Sequence, residues 1–151
     1  MPMRRSKPPT PVTGSADDVE LEFYDSLRHG DIDRLMALWS DDDEIVCVHP
    51  GGSRLVGAAA IRAAFDAMFG RGTIVVEPQH VRRLDSHSMA VHSVLERIRI
   101  PSQGGAERFA WVAATNVYLK STRGWHMVAH HASPGSAAEL SESTEAASIL
   151  H

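Results

Sequence analysis

Gly57-AAAIRAAFDAMFGRGTIVVEPQHVRR-Leu84 is the stretch in which the hydrophobic period of the chain changes. Up to Gly70 the apolar residues recur at helical spacing. Ile61, Ala64, Phe65 and Met68 fall at i, i+3, i+4 and i+7, a single stripe on one helix, and Gly70 offers a left-handed stop. Beyond Gly72 the pattern becomes extended. Four long β-type runs follow, about 73–84, 87–100, 107–120 and 124–133, divided by turn clusters at Asp85-Ser86, Ser102 to Ala106 and Ser121 to Gly124. Connections this short pair neighbouring strands antiparallel. Strands of this length twist and curl, so one face becomes concave and wants an apolar filling.

The filling lies upstream. Ser15 followed by Asp18 is a capping signal, and Val19, Phe23 and Leu27 then recur at helical spacing until Gly30, which predicts a helix over about 16–29. Asp31 can cap a second, short helix whose stripe is Ile32, Leu35, Met36 and Trp39, stopping near Asp41 to Asp43. Glu44 to His49 reads as one short strand, ended by Pro50, Gly51 and Gly52. The order helix, helix, strand, helix and four strands predicts an α+β fold. Three N-terminal helices sit in a cone-shaped, curved antiparallel sheet around one small-molecule pocket. Residues 15–134 form that domain. The Pro-rich, basic segment 1–14 reads as a flexible arm and the Ser, Ala and Glu segment 135–151 as a flexible tail.

At 151 residues and 43% apolar composition the chain fills one ordinary core. A net charge of −4 provides no overall positive field for a polyanion, which argues against nucleic acid as a partner. No apolar run approaches the roughly 20 residues that span a bilayer, so no membrane partner is expected and a cytoplasmic location is. Cys47 is the one cysteine, which excludes an internal disulfide and a multi-cysteine metal site. Its neighbours Ile45, Val46 and Val48 suit a buried small residue better than a reactive thiol. With no His-Glu-x-x-His helix and no phosphate loop, neither a metal nor a cofactor is expected.

Three stretches resemble a known superfamily. They are Phe23-Tyr24 to Leu38-Trp39, then Val48-His49-Pro50-Gly51-Gly52 with Leu55-Val56-Gly57, and finally Gly124-Trp125-His126-Met127-Val128 to His130-His131-Ala132-Ser133. With the element order, they are similar to the superfamily of nuclear transport factor two, SnoaL-like cyclases and ketosteroid isomerase, over about residues 16–134. The resemblance implies the cystatin-like α+β cone and a homodimer formed through the convex sheet face. Function varies across such a fold, which hosts isomerases, cyclases, hydrolases, transport factors and oligomerisation domains.

Catalysis in such a cone needs a titratable group inside an apolar cavity. His49 and His131 are the candidate catalytic residues. His131 shares strand parity with Ala129, Met127 and Trp125, an apolar set suited to the concave face, whereas His130 shares it with Val128 and His126 and should face away. Parity does not decide His49. Trp39, Cys47, Phe65, Met68, Trp111, Asn116, Trp125 and Met127 are the expected pocket lining, and Tyr118 is expected at the subunit contact. Among the acids, Glu96 can face inward or pair with Arg97 or Arg99. No Asp matches the general base of the isomerase chemistry. The expectation is a small-molecule pocket protein, acting as a cofactor-free isomerase, cyclase or hydrolase through histidine acid and base chemistry. The alternative is a non-catalytic ligand-binding or dimerisation module.

Overall fold

A computed structural model describes residues 13–100, 104–105 and 107–136. Most of the arm 1–14 and the tail 135–151 lie outside the described residues. The helices are α1 (Ala16–His29), α2 (Ile32–Ala37) and α3 (Ala58–Gly70), and the strands are β1 (Val46–Val48), β2 (Leu55–Val56), β3 (Val76–Asp85), β4 (Met89–Ile100), β5 (Arg108–Ser121) and β6 (Gly124–Pro134). Side-chain oxygens start the first two helices: Ser15 accepts from the Asp18 N–H and Asp31 from the Arg34 N–H. Gly30, at φ 62°, ends α1 in the left-handed conformation that glycine adopts without steric cost. Gly70 does not act as the left-handed stop expected of it. It is the last residue of α3, Arg71 caps the helix in a right-handed conformation, and the positive φ of 128° falls on Gly72.

The strands form one six-stranded sheet in the order β2-β1-β6-β5-β4-β3. Two details depart from the sequence reading. The sheet is mixed, because β1 joins β6 in parallel, and β2, a two-residue strand, pairs with β1 as an extra edge. Two residues are too few to show alternation, and a pairing partner so distant in sequence leaves no local signal. The sheet curves around the helices: α1 touches both β3, at one edge, and β6, two strands further in than β4. Its face Val19, Phe23, Leu27 packs with Leu35, Leu38, Ile61, Phe65, Val94, Tyr118 and Met127 in one core.

Register decides which side chains enter that core. Between β5 and β6, Val117 pairs with Ala129 but Tyr118 pairs with Met127, so Val128 is an extra residue, a β-bulge. A single extra residue reverses the facing of everything beyond it. Met127, His130 and Ala132 are therefore buried, while His131 is exposed. A second bulge in β3, between Gln79 and Arg82, includes His80 at φ 48°. Among the described residues, no helix is long and apolar enough to cross a membrane.

Candidate functional site

A cavity of about 400 Å³ opens inside the cone between α3, the end of β1, β4 and β6. Phe65 and Met68 reach it from α3, Leu27 from α1 and Ile98 from β4, which gives it apolar walls. Besides the exposed Arg99, three titratable side chains line it: His49, Glu96 and His130. Each is inward for a reason of register. Glu96 shares parity with the buried Ala90 and Val94 on β4, and His49 lies two residues beyond buried Cys47, which pairs alongside His130. The His49 ring stands edge-on to Phe65 at 4.9 Å between centroids, and His130 is 5.2 Å from the Phe23 ring.

Beneath the cavity runs a continuous chain of buried polar groups. Tyr24 donates to Glu96 Oε2 at 2.7 Å and receives a bond from Asn116 Nδ2 at 3.0 Å. Asn116 Oδ1 lies 2.5 Å from His130 Nδ1. At the far end Glu20 Oε2 accepts from Tyr118 at 2.7 Å, meets His92 Nδ1 at 2.8 Å, and has Asn116 Nδ2 at 3.5 Å. Burial this complete is tolerable because each of these groups has a partner. The environment shifts their titration. Burial pushes the Glu96 carboxyl up from 4.5 to about 7, against the bond from Tyr24, with the Glu20 charge adding to the rise. Burial, and after it the neighbouring His49 and His131, pushes His130 down from 6.5 to about 3, while burial alone lowers His49. The Cys47 thiol, 3.7 Å from His49 Nε2, is raised to about 12 by burial and then by Glu96, which keeps it protonated and inert as a nucleophile at neutral pH.

The sequence profile of the SnoaL-like domain matches residues 17–137. The chain belongs to the SnoaL-like domain family. A comparison with curated proteins finds no match. Among solved structures, a candidate calcium/calmodulin-dependent protein kinase type II association domain from Thiobacillus denitrificans is 34% identical, with 83% of this chain and 99% of that chain covered and a TM-score of 0.76. A candidate dehydratase of the NTF2-like family from Streptomyces avermitilis is 25% identical, covers 79% of this chain and 93% of its own, and has a TM-score of 0.70. An NTF2-like protein with a cystatin-like fold from Novosphingobium aromaticivorans shares the fold at 18% identity, 80% and 81% coverage and a TM-score of 0.66.

Within this SnoaL-like fold the residues singled out from sequence scatter. His49, Phe65 and Met68 line the cavity, Cys47 is buried beside His49, and Asn116 lies directly under it in the polar chain. His131 does not reach it: the Val128 bulge turns His131 outward and puts His130 in the place expected of it. Trp111 is on the convex face, since its inward neighbours on β5 are Val112 and Ala114, and it pairs across from Arg97. Met127 and the half-buried Trp125 pack in the core without lining the cavity. Trp39 lines a different hollow, an outer groove of about 800 Å³ between α2, α3 and the β5–β6 turn, whose charged residues Asp41, Asp42, Arg62, Lys120 and Arg123 are all exposed. That groove is larger, but it holds no buried titratable group with a displaced pKa. Tyr118 is wholly buried against Glu20, so it is not available at a subunit contact.

Sequence reasoning missed Glu20, Tyr24 and His92, and left Glu96 undecided. A signal was present. Glu20 and Tyr24 sit at i and i+4 on the helix face that also carries Ala16, Phe23 and Leu27, and His92 and Glu96 take the parity of Ala90 and Val94 on their strand. A polar residue on an apolar stripe has to find a buried partner. Among the described residues, no cluster of three or more His, Cys, Asp or Glu could hold a metal ion.

Proposed function

We propose that this SnoaL-like chain binds a small carbonyl compound in the cavity and moves a proton on it, with Glu96 as proton carrier and His130 and His49 beside it. One observation carries this reading: a buried carboxyl poised at about 7 faces an apolar hollow of about 400 Å³. A group poised near the working pH populates both protonation states, which is what acid and base catalysis requires. As a carboxylate, Glu96 takes a proton from the carbon next to the carbonyl, and the electron pair passes into an enolate. As an acid, it returns that proton to a second carbon, an isomerisation, or to a departing hydroxyl, which leaves as water. Either course restores the starting carboxylate. The naming of a 25% identical relative as a candidate dehydratase supports the second course.

The test is proton exchange. A panel of small β-hydroxy and β,γ-unsaturated ketones is incubated with the protein in deuterated water, and loss of the α-proton is followed by NMR. At least one compound should exchange, and Glu96→Gln should slow it by about 100-fold or more. An unreactive panel, or equal rates in the variant, refutes the assignment.

A second reading, a homodimerising module without catalysis, draws on the 34% identical candidate association domain. The convex sheet face supports it, because Leu95, Phe109, Trp111, Ala113 and Val117 all point outward there. Sedimentation velocity decides it: the wild type should sediment as a dimer and Trp111→Glu as a monomer, whereas a monomeric wild type dismisses that interface.

A further inference from the structure

Glu20 is not among the residues that line the cavity, yet it ends the polar chain that holds two of them. A carboxylate only accepts hydrogen bonds. Its Oε2 faces Tyr118, His92 and Asn116, so the Asn116 side chain has to turn its nitrogen towards it, because the opposite orientation would set oxygen against oxygen at 3.5 Å. The remaining geometry follows bond by bond. Asn116 Nδ2 also donates to the Tyr24 oxygen at 3.0 Å, which leaves the Tyr24 hydrogen for Glu96 Oε2 at 2.7 Å. Asn116 Oδ1 is then the atom 2.5 Å from His130 Nδ1, so Nδ1 carries the proton. The other nitrogen, Nε2, then keeps its lone pair and can accept a hydrogen bond.

We infer that Glu20 is a positioning residue: through Asn116 it sets the direction of the whole chain and so presents His130 to the cavity as a hydrogen-bond acceptor. Burial, which keeps His130 neutral, agrees with this. The consequence for the ligand, which rests on the proton-transfer reading above, concerns its chemical class. At the buried end of the cavity a molecule meets His130 Nε2 as an acceptor and has to bring a donor to it. A hydroxyl beside the carbonyl satisfies His130, while a carboxylate placed there would be repelled.

The experiment is a long-range ¹H–¹⁵N correlation of the histidine rings at pH 7, which reads the tautomer independently of any activity. In the wild type, His130 should be a single Nδ1–H tautomer. In Glu20→Gln, whose amide can turn either end towards Asn116, that single signature should be lost to an Nε2–H population. An Nε2–H tautomer in the wild type, or an unchanged spectrum in a folded Glu20→Gln, overturns the inference. If Glu20→Gln does not fold, neutron diffraction of the wild type decides the same point. A Tyr24 hydrogen directed at Glu96 supports the inference, and one directed at Asn116 refutes it. Since neither arm uses a substrate, these outcomes are separate from failure of the exchange assay.

Discussion

Replacing Glu96 with Gln should stabilise the protein, and by an amount that depends on pH. In the folded chain the carboxyl titrates at about 7, against 4.5 for an ordinary glutamate. Between those values the folded state holds a proton that the unfolded state has released, so stability falls as pH rises through that window. The displacement corresponds to about 3 kcal/mol, absent below pH 4.5 and fully developed above pH 7. His130 has the opposite slope. Its folded value of about 3 lies below 6.5, so the unfolded state binds the proton and stability falls as pH drops through that range. From pH 4.5 to 6.5 the two slopes oppose each other, and the wild type hides both. Glu96→Gln keeps the acceptor for Tyr24 and removes the charge. Urea unfolding followed by circular dichroism, at steps from pH 4 to pH 8, measures the difference between variant and wild type. That difference should be near zero at pH 4 and reach about 3 kcal/mol in favour of the variant at pH 8. A difference that does not vary with pH refutes the assignment of Glu96 as a desolvated carboxyl.

His131→Ala should change stability by no more than about 0.5 kcal/mol, as for other exposed sites, whereas His130→Ala, which strands Asn116 Oδ1, should cost about 1–3 kcal/mol. The same unfolding assay checks both, and equal effects would place the wrong histidine inside. Tyr118→Phe removes a donor from the buried Glu20 and should cost about 1.5–3 kcal/mol in chemical denaturation. Phe65→Ala deletes a buried ring from the cavity wall. It should cost about 3–5 kcal/mol and enlarge the hollow, seen as a lower unfolding midpoint and in a crystal structure of the variant.

The parts of the fold that repeat were legible in sequence, and the parts that depend on one irregular residue were not. The ends of α1 follow from Ser15, Gly30 and a regular stripe, and the four long strands from alternation between clear turns. The facing of His130 follows from a bulge at Val128, a residue whose type gives no sign of it, and counting by twos across that point inverted the assignment. Trp111 and Asn116 were both expected in the pocket, although they have opposite parity on the same strand and cannot share a face. The polar chain was half legible. Glu20 on the apolar face of its helix, and His92 and Glu96 among Ala90 and Val94, show which groups must be satisfied, but their partners lie about 70 to 100 residues away and only the folded sheet brings them together.

The carboxyl at the cavity wall can be observed one atom at a time. Selective ¹³C labelling of the glutamate side chains, with Glu96 assigned by its absence in Glu96→Gln, gives its titration curve in the intact protein. A midpoint near 7 is the result the buried geometry requires, and a midpoint near 4.5 would mean that water reaches Glu96 freely and that the carboxyl is not the desolvated group the account rests on.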